Sequence, residues 1–143
     1  MTRPRWIFVG LAVAALALGG CASKTTTEPA AEAITIEEEE ATGLKTLTLS
    51  EKAAERLGVE TAPVAAGGFG MTVPYAAIVY DADGKTWAYV NSEGRTYQRA
   101  AVTVDEIEGN VARLSDGPPE GTAVVTTGAA ELYGAEIGVG GGH

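Results

Sequence analysis

The stretch Val73 to Val104 (VPYAAIVYDADGKTWAYVNSEGRTYQRAAVTV) constrains the fold more than any other. Val73, Tyr75, Ala77 and Val79 alternate with Pro74, Ala76, Ile78 and Tyr80, the period of a β-strand. Asp81-Ala82-Asp83-Gly84 breaks the run with turn chemistry: the aspartates cap local backbone, and Gly84 accepts positive φ. Thr86 to Asn91 restarts as a β-branched and aromatic strand. Ser92-Glu93-Gly94 turns again, and Thr96 to Val104 runs on. Three successive strands make a meander, and a meander leaves one face uncovered unless other elements pack on it. The expected fold class is therefore mainly β.

The N-terminus has the parts of a secretory leader over residues 1–20. Arg3 and Arg5 form a positive start, Trp6 to Leu18 is apolar, and small residues precede Cys21. The apolar run is shorter than the roughly 20 residues a bilayer span requires. Leu18-Gly19-Gly20-Cys21 resembles a bacterial lipobox, which implies that Cys21 is lipidated and becomes the first residue after cleavage. Cys21 is the only cysteine, so no internal disulfide can form. Two or more acyl chains on Cys21 would anchor the chain stably to a membrane.

The whole chain carries a net charge of −9, and loss of Arg3 and Arg5 makes the mature part more acidic still. Such a surface argues against nucleic acid and against electrostatic binding to anionic lipid. Residues 21–43 read as an acidic, disordered tether. Glu37 to Glu40 is a self-repelling, solvated run. Residues 44–137 read as one small domain, and residues 138–143 as a disordered tail.

Within the domain, Thr46–Leu49 is a short strand candidate. Ser50 offers an N-cap, Glu51 sits in the first turn, and Gly58 stands where a glycine would end the helix. One short helix is expected over Ser50–Leu57, too short to be stable without packing. Val59–Val64 returns as a strand whose Pro63 suits an edge. Ala65 to Gly70 is a joint of small residues. Asp105 to Glu108 reads as a polar loop, Asn110–Leu114 as a strand, Ser115 to Gly121 as a turn segment, and Thr122–Thr127 as the last strand. Gly128 to Ile137 reads either as a helical turn or as a lid. The early strands must join the later ones in one sheet, roll or barrel-like body, because they have no other partner.

Catalytic constellations are scarce. His143 is the only histidine and is terminal, which leaves no Ser-His, Cys-His or His-metal arrangement inside the domain. Asp81, Asp83, Asp105, Glu106 and Glu108 read as solvated or capping carboxylates. Asp81-Ala82-Asp83-Gly84 fails as an EF-hand loop, because Ser92 stands where the bidentate glutamate is required. Gly67-Gly68-Phe69-Gly70 lacks the lysine of a phosphate loop. Tyr75, Tyr80, Trp87, Tyr89 and Tyr97 read as core and cross-strand residues before a ligand groove. No cofactor, metal site or enzyme activity is expected.

Two blocks, Leu47 to Val64 and Val73 to Leu132, resemble segments of the periplasmic adaptor subunits, or membrane fusion proteins, of bacterial tripartite efflux systems. The features that carry the likeness are Val73-Pro74, the Tyr80-to-Gly84 turn, Trp87-Ala88-Tyr89-Val90 and the closing series Leu114, Gly117, Gly121, Val124-Val125 and Gly128. The second block resembles the adaptors' membrane-proximal domain. Full adaptors carry lipoyl-like, hairpin and barrel domains between such flanks, whereas only Ala65 to Thr72 intervene here. The resemblance implies a reduced, non-catalytic lipoprotein on the extracytoplasmic face of a bacterial membrane. It would contact an inner-membrane efflux transporter or a partner adaptor, with Val73, Tyr75, Tyr80, Trp87 and Tyr89 as candidate contact residues. The alternative reading is a stand-alone binding lipoprotein for a small ligand or metal ion.

Overall fold

The computed structural model describes residues 33–138. The expected leader, Cys21, residues 22–32 of the expected tether and the expected tail from Val139 lie outside the described residues.

Two open sheets and two short helices form the domain. The first sheet contains β1 (Ile34–Glu38), β2 (Lys45–Leu49), β3 (Glu60–Pro63), β6 (Val79–Tyr80), β7 (Thr86–Glu93), β8 (Thr96–Ala101) and β11 (Ala123–Thr127). Its order is β1-β2-β8-β7-β11-β3, with β6 also paired to β7. The second sheet contains β4 (Ala65–Gly67), β5 (Gly70–Pro74), β9 (Thr103–Glu108) and β10 (Val111–Asp116), in the order β4-β5-β10-β9. Every pairing is antiparallel. The expected mainly β fold is present, and the early strands do join the later ones: β2 lies on β8 and β3 on β11. Neither sheet closes into a barrel.

Helix α1 (Glu51–Leu57) follows from its caps. Ser50 Oγ accepts from the Ala53 N–H at 3.2 Å, and Gly58 adopts φ 58° while donating to the Ala54 carbonyl. Only glycine takes that left-handed conformation without strain. Helix α2 (Ala129–Glu136) resolves the ambiguous segment in favour of a helix, so the domain has two helices where one was expected. Both pack on one face of the first sheet.

Strand β7 is buried on both sides. Tyr89 belongs to a core with Leu47, Leu49, Ala53, Val125 and Leu132 on the helical side. Ala88 points the other way, into a core with Val64, Val73, Leu114 and Val124 between the sheets. Each buried Leu or Val contributes about 1.5–3 kcal/mol relative to exposure.

Several expectations are corrected. Residues 34–43 are no tether: Ile34 and Ile36 alternate along β1, which pairs residue for residue with β2. The glutamates stay solvated because β1 is an edge strand with an exposed face. Ala65 to Gly70 is no loose joint, since β4 and β5 form a tight hairpin there. The alternating run Val73 to Tyr80 is not one strand. Beyond Pro74 the partner strand has ended at Asn110, so Tyr75 donates to the Asn110 carbonyl and Tyr75–Ala77 forms a 3-10 turn into the first sheet. The run from Thr96 likewise splits at Val102, and Asp105 to Glu108 is strand rather than loop.

Gly70 tests the close approach of β5 to β10. It has φ 118°, and a Cβ there would lie 2.6 Å from the Leu114 carbonyl oxygen. Gly70→Ala is expected to lower stability by about 2 kcal/mol or more, read as a shift in urea midpoint at unchanged slope. A change under about 0.5 kcal/mol would contradict this packing.

Candidate functional site

The site is built where the two sheets differ in extent. The second sheet covers Ala88 and Val124 but stops short of the β6–β7 end of the first sheet. The uncovered corner is an open groove of about 640 Å³. Val102, at the crossing between the sheets, and Val104 and Ile107 of β9 border it on one side; Tyr80 and Thr86 border it on the other. Val102 is held by two bonds to Thr86: its N–H donates to the Thr86 carbonyl at 3.1 Å, and its carbonyl accepts from Thr86 Oγ1 at 2.7 Å.

Two of the exposed apolar side chains, Tyr80 and Ile107, line this groove, while Phe69, at 89% the most exposed, and Ile137 lie elsewhere. Tyr80 is 48% exposed, Ile107 44%, and Tyr75 and Val111 each 40%. The Tyr75 hydroxyl, close to that of Tyr80, holds the Tyr80 phenol above its ordinary value. Strand β9 carries Asp105, Glu106 and Glu108. Register places Glu106 opposite Arg113, and the pair closes to 2.8 Å on the outer face. Asp105 and Ser115 are each skipped in the β9–β10 register, and Ser115 Oγ donates to Asp105 Oδ1 at 2.7 Å.

Behind the groove runs a polar chain that fixes Trp87. Asp81 Oδ1 accepts from the backbone N–H groups of Asp83 and Lys85, and Oδ2 accepts from Trp87 Nε1 at 2.9 Å. The indole N–H first, and the two backbone donors after it, hold the Asp81 carboxyl below its ordinary value. Arg99 lies over the Trp87 ring at 4.3 Å and reaches Glu136 Oε1 with Nε at 2.9 Å. The Nε–H is not aligned to donate there, so this contact is ionic. The Tyr89 hydroxyl donates to the other Glu136 oxygen, and Lys45 Nζ donates to the Glu136 carbonyl at 3.0 Å. Glu136 thereby ties α2 to the centre of the first sheet. Burial first, and the Glu136 carboxylate second, push the Tyr89 phenol far above its ordinary 10.0.

Of the sequence-based candidates, Tyr80 and Trp87 border the groove and Tyr75 stands beside Tyr80. Val73 and Tyr89 do not belong with them: they are 2% and 0% exposed, in two different cores, so neither can meet a partner. Cys21 lies outside the described residues. Ile107 was missed, hidden in a segment read as a polar loop; the Val104–Ile107 pair of apolar residues among acids was its only signal. Among the described residues no group of three His, Cys, Asp or Glu side chains is placed to hold a metal ion, and no helix is long and apolar enough to cross a membrane. Comparison with family models, with curated proteins and with solved structures gave no significant match.

Glu136 and Tyr89 give a joint test. Glu136→Ala leaves Arg99 and the Tyr89 hydroxyl without their partner and is expected to lower stability by about 3 kcal/mol, at the lower end for a broken buried pair because Arg99 keeps some solvent. Tyr89 has a raised folded value, so its contribution is complete below pH 10.0 and is lost as pH climbs beyond it. Tyr89→Phe should flatten that alkaline fall in melting temperature. An unchanged alkaline limb would show that Tyr89 does not titrate on unfolding.

Proposed function

We propose that the chain is a non-catalytic, lipid-anchored adaptor-like protein that contacts an inner-membrane efflux transporter or a partner adaptor on the extracytoplasmic face of a bacterial membrane. The observation that carries the reading is the open corner between the sheets. Tyr80 and Ile107 line the groove there and keep 48% and 44% of their surface in solvent. A clustered apolar surface of this kind suits a protein contact, and aromatic side chains there supply most of the affinity.

Three features support the rest. The two blocks that resemble adaptor segments are joined within the first sheet, through β2 on β8 and β3 on β11. The residues between the blocks make the short β4–β5 hairpin at the place where full adaptors insert further domains. The leader and Leu18-Gly19-Gly20-Cys21 supply the anchor. The ligand-binding alternative has only cavity volume in its favour: the groove, which is open rather than enclosing, and a smaller space of about 370 Å³ lined by Ile34, Ala53, Leu57 and Ala135.

The test is recovery of a partner. The chain is expressed with a C-terminal tag, solubilised in mild detergent and captured. A transporter or adaptor subunit is the expected companion, and Cys21→Ser should move the protein from membrane to soluble fraction. Tyr80→Ala with Ile107→Ala should reduce recovery about tenfold or more, as for loss of interface anchors, at an unchanged melting temperature. Capture of the bait alone would overturn the reading.

A further inference from the structure

We propose that the free edge of β9 takes up an extended, lysine- or arginine-bearing segment of a partner protein as an added strand of the second sheet. This deepens the protein-contact reading above and rests on it. Strand β9 ends its sheet, and its backbone is bonded only on the β10 side among the described residues. The other edges are less suited: β3 carries Pro63, β4 has only three residues, and β1, though also acidic, lies beside the helices and away from the Tyr80–Ile107 groove. Strand β9 also borders the groove, which gives an incoming strand room at about 4.8 Å from its neighbour.

Strand addition draws affinity from main-chain hydrogen bonds and specificity from the alternate side chains. The two faces of β9 ask for different residues. Ile107 pairs with buried Ala112, so its side chain is on the inner face, beside Val104 and opposite Tyr80 in the groove. Glu106 and Glu108 are on the outer face, where Arg113 balances the first at 2.8 Å and meets the second only at 3.9 Å. The Glu108 side chain remains 84% exposed, and β9 itself has no basic residue. A matching segment therefore alternates apolar residues toward Tyr80 with basic residues toward Glu106 and Glu108. A second copy of this chain is disfavoured, because edge-to-edge pairing would bring Asp105, Glu106 and Glu108 against their own kind. An anionic lipid surface is disfavoured by the same charges.

The test uses the isotope-labelled full chain in detergent micelles and two synthetic peptides, one alternating valine with lysine and one alternating valine with glutamate. The lysine peptide should raise amide hydrogen-exchange protection over Thr103–Glu108 and shift the Tyr80 and Ile107 signals, with affinity falling as salt is raised. The glutamate peptide should do neither. Glu106→Gln with Glu108→Gln should weaken the lysine peptide about tenfold, as expected for removing two complementary charges at a contact, at an unchanged melting temperature. Absence of protection on β9, protection by both peptides alike, or protection on another strand would overturn the proposal. Partner capture that survives Glu106→Gln with Glu108→Gln but not loss of Tyr80 and Ile107 would overturn the edge assignment and leave the contact reading standing. Capture of bait alone, with the lysine peptide still protecting β9, would support the edge assignment and sink the efflux assembly.

Discussion

The fold depends on the apolar residues at which the chain crosses between its two sheets. Val64 stands between β3 and β4, Ala77 and Ile78 between β5 and β6, and Val102 between β8 and β9. All four are buried, and all four belong to the core between the sheets. Strands that change sheets make the corners of such packings. Here the corners are also the filling. Their backbone groups are satisfied locally: Val64 bonds to Thr122 and Gly121, Val102 to Thr86, and Ile78 to Tyr75. A buried connection without those bonds would carry several unpaired amides. The crossings are thus fixed both by hydrophobic burial and by hydrogen bonding, and the sheets cannot slide without breaking both.

The same crossings explain which parts of the structure the sequence announces. Helix α1 is legible because its determinants are local: Ser50, Glu51 and Gly58 act on backbone within one turn. Strand β7 is legible because both of its faces are buried, so Trp87-Ala88-Tyr89-Val90 reads as a continuous apolar run. The crossings leave no comparable mark. Val102 sits in an unbroken alternation from Thr96 to Val104, and nothing in that alternation says that the chain leaves one sheet for another. Tyr75 to Ala77 continues the period of Val73, yet its partner strand has run out. Strand β1 was hidden for a different reason. Ile34 and Ile36 alternate, but four glutamates follow, and an edge strand can solvate them without penalty. For the site, aromatic content identified Tyr80 and Trp87. Only tertiary placement separates them from Tyr89, which has the same strand character and faces a core.

The polar chain from Asp81 to Glu136 does for α2 what apolar packing alone does weakly. Gly134 and the alanines of α2 bury little area, and Leu132 and Ala129 are its main apolar contributions. A buried carboxylate is tolerated there because the Tyr89 hydroxyl and Arg99 both converge on it. Pairs of this kind add little net stability over apolar replacements, yet they fix one arrangement, since any other leaves a charge unpaired. Arg99 at the same time lies on Trp87. The Trp87 indole is thus tied through Arg99 to the helix that packs on the same face of the first sheet.

The groove follows from an inequality in the fold. A seven-stranded sheet is covered by helices on one face and by a four-stranded sheet on the other. Four strands cannot cover the whole of the larger sheet, so apolar side chains at one corner must stay wet. In this chain those side chains include Tyr80 and Ile107, beside a strand edge that carries only negative charge. Tyrosine tolerates water through its hydroxyl and still offers a large, stiff contact surface. The acids and the Asp105 bulge keep such an edge from pairing with copies of itself. An edge guarded only by like charge repels acidic strands and would favour a basic one.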